Sequence, residues 1–292
     1  MTRGPDSGPA CENVPWRRRL QVSDAQSKVV LITGASSGIG RACADHLAGQ
    51  GHRVYGGSRS GTGTSRSWIP IAMDVTDEGS VESAVHRVEA EAGRLDVVVN
   101  NAGFGIAGAV EETSVAEARR QFETNVFGVL RVCRAALPLL RRHGGGLVVN
   151  ISSIGGLLGL PFEGLYSASK FALEGLSEAL SLEVRPFGIR VVLIEPGDIR
   201  TSFPANRVWT DESRDDSPYR ESRRKVRSSF ERDEASAPGP EGVARLVGRI
   251  LRCPSPAPRY TAGPLFQRLA VPLRRFLPGR LFAWVVRRAY GL

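Results

Sequence analysis

The sequence predicts an α/β fold: one doubly wound parallel sheet with helices on both faces and a helical extension at the C-terminus. Three observations predict it. Short apolar runs such as Val29-Val30-Leu31-Ile32 alternate with longer helix-like stretches, on unit spacings of about thirty residues. Those runs are apolar at consecutive positions, as strands covered on both faces require. The first run passes straight into a glycine-rich turn, Thr33 to Gly40, and then into a helix-like stretch.

The elements follow in order. Residues 1–27 hold Pro5, Pro9, Pro15 and the run Arg17-Arg18-Arg19 with no apolar stretch, so a disordered basic tail is expected rather than a secretory signal. Asp6, Glu12 and Asp24 sit badly with a transit peptide. One domain is expected over 28–264. Its strands are read at Val29–Ile32, Arg53–Gly57, Ile69–Met73, Leu95–Asn100, Leu147–Ile151 and Arg190–Ile194. Its helices are read at Ile39–Gln50, Glu78–Ala92 with Asp77 as N-cap, Ser114–Arg142, Glu163–Arg185 and Gly242–Arg252. The long one is expected to break near Asn125 and to be perturbed by Pro138. Strands alternating with helices imply right-handed crossovers and a parallel sheet. Residues 196–240 break the pattern, with many charges and few apolar anchors. About 198–238 a disordered insertion or a mobile, charged substrate loop is expected, its charges mostly solvated.

Composition narrows the function. The chain has 292 residues, and 39 Lys plus Arg against 30 Asp plus Glu give a net charge of +9. That charge suits anionic ligands or an anionic surface without choosing among them. Nucleic-acid binding would rest on the basic tail alone, and none is expected. Cys11, Cys43, Cys133 and Cys253 show no paired spacing, which argues against a disulfide scaffold and a zinc ribbon and fits a reducing, cytoplasmic setting. No metal motif stands among the four histidines. No run of about 18 apolar residues is present, so no transmembrane helix is expected.

Chemistry concentrates at two places. In Thr33-Gly34-Ala35-Ser36-Ser37-Gly38-Ile39-Gly40, backbone N–H groups and a helix N-terminus would face a phosphate, and glycine lets a pyrophosphate approach the backbone. A tight βα turn with no ligand is the plain structural alternative. Gly34 to Gly38 also fits a hydrolase nucleophile elbow, but that needs an acid and then a histidine later in the chain; the last histidine is His143, in the middle of the sequence, and the loop follows the first strand instead of a central one. A P-loop would end in Gly-Lys-Ser/Thr, and this loop ends Gly-Ile-Gly-Arg. No Asp or Glu stands between Asp45 and Asp74, where a dinucleotide fold usually holds the ribose 2′-OH; the second strand runs into Gly57-Ser58-Arg59 instead. A guanidinium can pair a 2′-phosphate bidentately, so NADP(H) is expected over NAD(H), with Arg59 selecting it and Ser36 or Ser37 assisting. A plain surface arginine is the alternative.

The second place is Tyr166 and Lys170, four apart on one helix face. A free tyrosine titrates near about 10, and a neighbouring cation lowers that value, as proton transfer to a carbonyl requires. Ser153, just past a strand, can hydrogen-bond the same substrate oxygen. Tyr-x-x-x-Lys alone is a common chance pattern; the co-occurrence gives it weight.

With these residues in view the chain resembles the short-chain dehydrogenase/reductase family. The matching pieces stand in the family's order: Thr33-Gly34-x-x-x-Gly38-x-Gly40, Asp74-Val75, Asn100-Asn101-Ala102-Gly103, Asn125, Ser153, Tyr166 to Lys170, and Pro196-Gly197. They cover about Lys28 to Thr201. The resemblance implies a Rossmann-type sheet. It implies Tyr166 as general acid/base, Lys170 lowering its pKa and bonding the nicotinamide ribose, Ser153 orienting the substrate, and Asn125 anchoring a relay water. Asp74 and Val75 would contact the adenine, and Asn101, Ala102 and Gly103 would line the cofactor floor. Ile199 and Thr201, after Pro196 and Gly197, would hold the carboxamide and phosphates. The implied reaction is hydride transfer between nicotinamide and a carbonyl or alcohol carbon, in a homodimer or homotetramer. Gly159-Leu160-Pro161-Phe162 and Lys170 to Leu176 are similar to the branch of estradiol-type hydroxysteroid and retinol dehydrogenases, which implies a lipophilic, steroid- or retinoid-like substrate. A catalytically silent NADP(H)-binding regulator is the alternative, and the intact Ser153, Tyr166 and Lys170 weigh against it. In the extension 265–292, Leu281, Phe282, Val285, Val286 and Ala289 form a stripe with Arg280, Arg287 and Arg288 mostly off it. Such a basic amphipathic helix can make peripheral membrane contact, cap the pocket or pack on the protein.

Overall fold

Seven parallel strands form the central sheet: β1 (Val29–Thr33), β2 (Arg53–Ser58), β3 (Ile69–Ala72), β4 (Val97–Asn100), β6 (Gly146–Ile151), β7 (Ile189–Pro196) and β9 (Arg259–Ala262), in the order β3-β2-β1-β4-β6-β7-β9. Two short strands, β5 (Ile106–Ala107) and β8 (Val208–Trp209), pair apart from it. The computed structural model describes residues 27–62, 67–201, 207–210 and 216–292, without the side chains of positions 272 and 275. The expected N-terminal tail lies outside these residues, apart from Ser27.

The consecutive apolar positions of each strand feed two cores. Val29 and Leu31 of β1, with Val98 of β4 and Val148 of β6, face one side; Val30 and Ile32, with Val97, Val99 and Val149, face the other. The first side is covered by α2 (Glu78–Ala92), α4 (Gly128–Arg142) and α5 (Gly164–Glu183), and the second by α1 (Gly38–Gly49) and α7 (Glu241–Arg252). Each fully buried aliphatic side chain contributes about 1.5–3 kcal/mol by leaving water, and Leu31, Ile32, Leu47 and Ile194 are all fully buried.

Local chemistry sets the boundaries. The Asp77 carboxylate accepts from the Ser80 N–H at 2.5 Å and starts α2, which ends at Gly93 in the left-handed region at φ 70°. A reciprocal Ser114–Glu117 capping box starts α3 (Val115–Phe122). The expected break near Asn125 is a π-helical turn over Glu123–Phe127, and α4 runs through Pro138 to Arg142.

The charged segment after β7 differs from the expected loop. Residues Arg220–Ser236 form a 17-residue helix, α6. Its polar outer face hides the period: only Val226, Ser229 and Phe230 are buried along it. Nor are its charges all solvated. Arg223 pairs with Glu112 at 3.5 Å with both side chains largely buried, although Arg224–Glu221 and Arg227–Glu231 stay in water. Positions 202–206 and 211–215 lie outside the described residues. The C-terminal extension forms α8 (Leu265–Phe276) and α9 (Gly279–Ala289). The expected stripe of α9 divides: Phe282 and Val286 turn toward the protein, whereas Leu281, Val285 and Ala289 are exposed. Cys43 and Cys133 are buried free thiols, and Cys253 is disulfide-bonded, which the scattered spacing does not anticipate.

Candidate active site

Strand order reverses between β1 and β4, so the connections leave in opposite directions and open a crevice at the carboxyl ends of the strands. A cavity of about 770 Å³ lies there. Every residue expected at the site lines it, except Gly40 and Asn125.

The glycine loop is built by close approach. Gly34 and Gly38 hold φ of 67° and 56°, the left-handed region that L-residues other than glycine rarely adopt. A Cβ on Gly34 would sit 2.9 Å from the Ala102 Cα, and one on Gly38 would sit 3.3 Å from the Thr201 Cβ. Gly40 serves packing instead: a Cβ there would collide with the Gly34 carbonyl oxygen and the Asn101 side chain. Thr33 and Asn101 clamp this loop to the end of β4. The Thr33 hydroxyl accepts from the N–H groups of Asn101 and Ala102, both at 3.0 Å, and Asn101 Nδ2 donates to the carbonyls of Thr33 and Gly34 at 3.0 and 3.1 Å. Asn101 thus acts on the loop as well as on the cavity floor.

Ser58 and Arg59 line the cavity where β2 ends. The Asp74 carboxylate is held by the Thr76 N–H at 2.9 Å and the Thr76 hydroxyl at 2.7 Å, bonds that lower its pKa, with Arg59 and Arg131 lowering it further.

Across the crevice α5 carries Tyr166 and Lys170, and the turn after β6 carries Ser153. All three are buried. The Tyr166 hydroxyl hydrogen-bonds Ser153, whose Oγ also accepts from the Gly155 N–H at 3.0 Å. Lys170 Nζ donates to the Ile151 carbonyl at 2.9 Å and lies 5.8 Å from the Tyr166 ring centroid. Burial lowers the Lys170 pKa to about 8. Tyr166 departs from the sequence expectation, because its pKa is raised rather than lowered. Burial disfavours the phenolate, and Glu163 and Asp198 add to this, while the Ser153 hydrogen bond and Arg207 oppose it. The lysine is tied to Ile151 and does not offset the burial.

Asn125 lies behind the site in the π turn. Its Nδ2 donates to the Phe104 carbonyl at 3.0 Å and to Ser169 Oγ at 3.1 Å, and its Oδ1 accepts from the Phe104 N–H at 3.1 Å. It therefore joins the loop after β4 to the helix that carries Tyr166.

The outer wall is drawn largely from the charged segment and the C-terminal extension, but none of its residues was singled out by the sequence. Glu163, Asp198, Arg207, Phe230, Glu234, Gln267 and Tyr290 also line the cavity. Arg207 Nε meets Glu163 Oε1 at 2.8 Å and its Nη2 meets Glu234 at 2.6 Å, and the guanidinium lies 4.6 Å from the Phe230 ring centroid. Burial raises the Glu163 pKa to about 7 against the pull of Arg207. Asp198 accepts from Gln267 Nε2, and the Asp198 N–H donates to Gln267 Oε1 at 2.8 Å, which brings α8 to the cavity. Two of the wall residues offered a sequence signal, Glu163 three residues before Tyr166 and Asp198 between Gly197 and Ile199; the others come from more distant segments. Among the described residues no group of three or more His, Cys, Asp or Glu could hold a metal.

Comparison with known proteins bears on the family and the fold. The short chain dehydrogenase family model matches residues 28–212. A 3-ketodihydrosphingosine reductase of Bacteroides thetaiotaomicron is 41% identical over 267 residues, 91% of this chain and 99% of that protein. Human 17-beta-hydroxysteroid dehydrogenase type 1 is 37% identical over 80% of this chain and 76% of its own. The crystal structure of a short-chain dehydrogenase from Streptomyces avermitilis superposes with a TM-score of 0.77 at 38% identity, covering 86% of this chain and 93% of that one. Two more distant structures hold cofactors. A Burkholderia phymatum enzyme binds NAD (26% identity, TM-score 0.69, 80% and 89% covered), and one from Burkholderia cenocepacia binds NADP (27%, 0.67, 87% and 97%).

Proposed function

The chain belongs to the short-chain dehydrogenase family of oxidoreductases, and on that premise we propose that it is an NADP(H)-dependent enzyme interconverting a lipophilic alcohol with its ketone or aldehyde. One observation carries the reading: Ser153, Tyr166 and Lys170 line the same cavity as the glycine loop.

The residues present fit a dinucleotide. The positive-φ glycines leave the loop backbone open to a pyrophosphate beside the N-terminus of α1. Ser36, Ser37, Gly38, Ile39 and Thr201 would hold the phosphates, Asp74 and Val75 the adenine, Asn101, Ala102 and Gly103 the floor, and Pro196, Gly197 and Ile199 the nicotinamide side. Arg59, at the end of a strand with no carboxylate in that place, supports NADP(H). The bound nicotinamide would supply or accept the hydride. Ser153 orients the substrate oxygen, and Tyr166 moves the proton at that oxygen. Burial holds the Tyr166 phenol protonated, so it carries the proton that an alkoxide developing on the substrate would take. The Ser153 hydrogen bond and Arg207, which oppose the effect of burial, would stabilise the phenolate left behind, Lys170 would bond the nicotinamide ribose, and Asn125 keeps the loop after β4 in register with Tyr166.

A lipophilic substrate is supported by two similar proteins whose names give a ketodihydrosphingosine and a hydroxysteroid, and by Ile154, Leu160, Val208 and Phe230 in the cavity wall. Residues 28–264 are the catalytic unit of this proposal and 265–292 its extension. A homodimer or homotetramer is supported by exposed Phe127, Leu130 and Phe171 on α4, α5 and the turn between α3 and α4. A cytoplasmic enzyme is the setting we propose.

Tyr166→Phe tests the reading. NADPH oxidation with long-chain keto lipids, ketosteroids and retinal should fall about 10²–10⁴-fold, while NADPH binding by fluorescence titration stays close to that of the parent protein. Undiminished turnover would remove Tyr166 from the chemistry. Absence of NADPH binding in the parent would remove the cofactor assignment.

A further inference from the structure

We propose that the outer face of α8 and α9 is a docking platform for an anionic lipid surface, and that it hands an apolar substrate from the bilayer to the cavity beneath. The proposal rests on the reading above only for the substrate; the surface itself stands on separate observations.

The first is where apolar surface is exposed. Of the sixteen large hydrophobic side chains exposed among the described residues, eight lie between Leu265 and Val285. Phe266, Leu269, Leu273 and Phe276 recur at helical spacing along α8, and Leu281 and Trp284 continue the surface on α9. Phe276 is 79% exposed and Trp284 59%. Scattered exposed apolar residues are ordinary, but a cluster this dense marks an interaction site.

The second is charge. From 265 to 292 the sequence has six arginines (Arg268, Arg274, Arg275, Arg280, Arg287 and Arg288) and no Asp, Glu or Lys. Two of these turn inward or along the protein: Arg274 reaches the Leu157 carbonyl and lies over the Phe171 ring, and Arg268 approaches Thr261 at 3.4 Å. Arg280, Arg287 and Arg288 remain exposed beside the apolar surface. Apolar side chains flanked by arginine match the boundary of an anionic bilayer, where apolar burial and charge attraction add. A second copy of the chain suits this face less well, because a twofold contact would bring arginines against arginines. Among the described residues no helix is long and apolar enough to cross a membrane, so the contact is peripheral.

The third observation links surface to site. The inner sides of the same helices line the cavity, Gln267 from α8 and Tyr290 from the end of α9. Gln267 is fastened to Asp198 at the mouth of the crevice, and Tyr290 stacks edge-on with Phe230 at 5.7 Å. One pair of helices therefore faces water on one side and the cavity on the other, which gives an apolar molecule a route between them.

The test uses the full chain and vesicles of phosphatidylcholine alone or mixed with phosphatidylglycerol, read by flotation without cofactor or substrate. The expected result is binding to the mixed vesicles, weakened by salt. Removing three surface arginines in Arg280→Gln, Arg287→Gln and Arg288→Gln should lower that binding more than about tenfold, at the strength expected of each basic residue near an anionic surface. Phe276→Asp with Trp284→Asp should abolish it while NADPH turnover of a short, water-soluble ketone is retained and turnover of a vesicle-borne keto lipid is lost. Equal binding by parent and variants, or none by the parent, overturns the platform. So does a parent dimer that these two aspartates convert to monomer, since the face would then be covered by a second copy. Vesicle binding with no ketone turnover at all would leave the platform standing and overturn the enzyme reading instead.

Discussion

The two walls of the cavity are held by different means. On the side of β1, β2 and β4, shape comes from the backbone: positive-φ glycines, the Thr33 hydroxyl and the Asn101 amide hold the loop at 3.0–3.1 Å contacts. On the side of α6, α8 and α9, shape comes from side chains that meet across the chain, Arg207 with Glu163 and Glu234, and Asp198 with Gln267. Backbone shape admits few substitutions, because the pyrophosphate must approach closely. A wall of side-chain pairs can be rebuilt for a different substrate without disturbing the cofactor, which is how one fold serves many substrates.

The comparison breaks first at Gly40. A Cβ there meets the Gly34 carbonyl and the Asn101 amide together, so Gly40→Ala should cost about 3 kcal/mol or more, the upper range for overpacking. NADPH binding should fall below detection with it. Urea denaturation and cofactor titration check both. A variant as stable and as tightly binding as the parent would mean that the loop yields, and that the cofactor wall is as adaptable as the outer one. Arg59→Asp is a smaller, sharper test. A lost charge-assisted hydrogen bond is worth about 1.5–3 kcal/mol, so NADPH affinity should drop about ten- to a hundredfold, with NADH little changed. Equal preference in parent and variant would reduce Arg59 to an ordinary surface residue.

These two walls also differed in how far the sequence disclosed them. The cofactor side was legible because its chemistry is local: a strand, a glycine turn and a helix start lie within twenty residues of one another, and the spacing carries the geometry. Tyr166 and Lys170 were legible for the same reason, one helix turn apart. Arg207 was not. Its meaning depends on Glu163 and Glu234, each 27 or more residues away, and the flanking charges made the segment read as solvated. Helix α6 hid behind the same charges, and β9 was missed because Arg259-Tyr260-Thr261-Ala262 is too mixed to signal a strand. The Tyr166 shift also ran against expectation. Spacing placed the lysine beside the phenol but could not tell that its ammonium is bound to Ile151.

A third test, with the smallest expected change, probes the charge-held wall through pH. Burial raises the Glu163 pKa from 4.5 to about 7. The folded protein therefore binds that proton more tightly than the unfolded chain, whose carboxyl titrates at an ordinary value. The stabilisation is complete below pH 4.5 and is lost as pH rises through about 7, because the buried carboxylate must then ionise. Arg207 at 2.8 Å offsets part of that cost without cancelling it, since the pKa stays raised with the arginine in place. Glu163→Gln keeps an oxygen for the guanidinium and has no proton to lose. Its stability should change less than the parent's between pH 4.5 and 7, by an amount of order 2 kcal/mol. Urea midpoints measured at half-unit steps over that range check the slope. Parallel slopes for the two proteins would show that Glu163 is ionised throughout, and that the Arg207 pair is as firmly set as the glycine loop opposite.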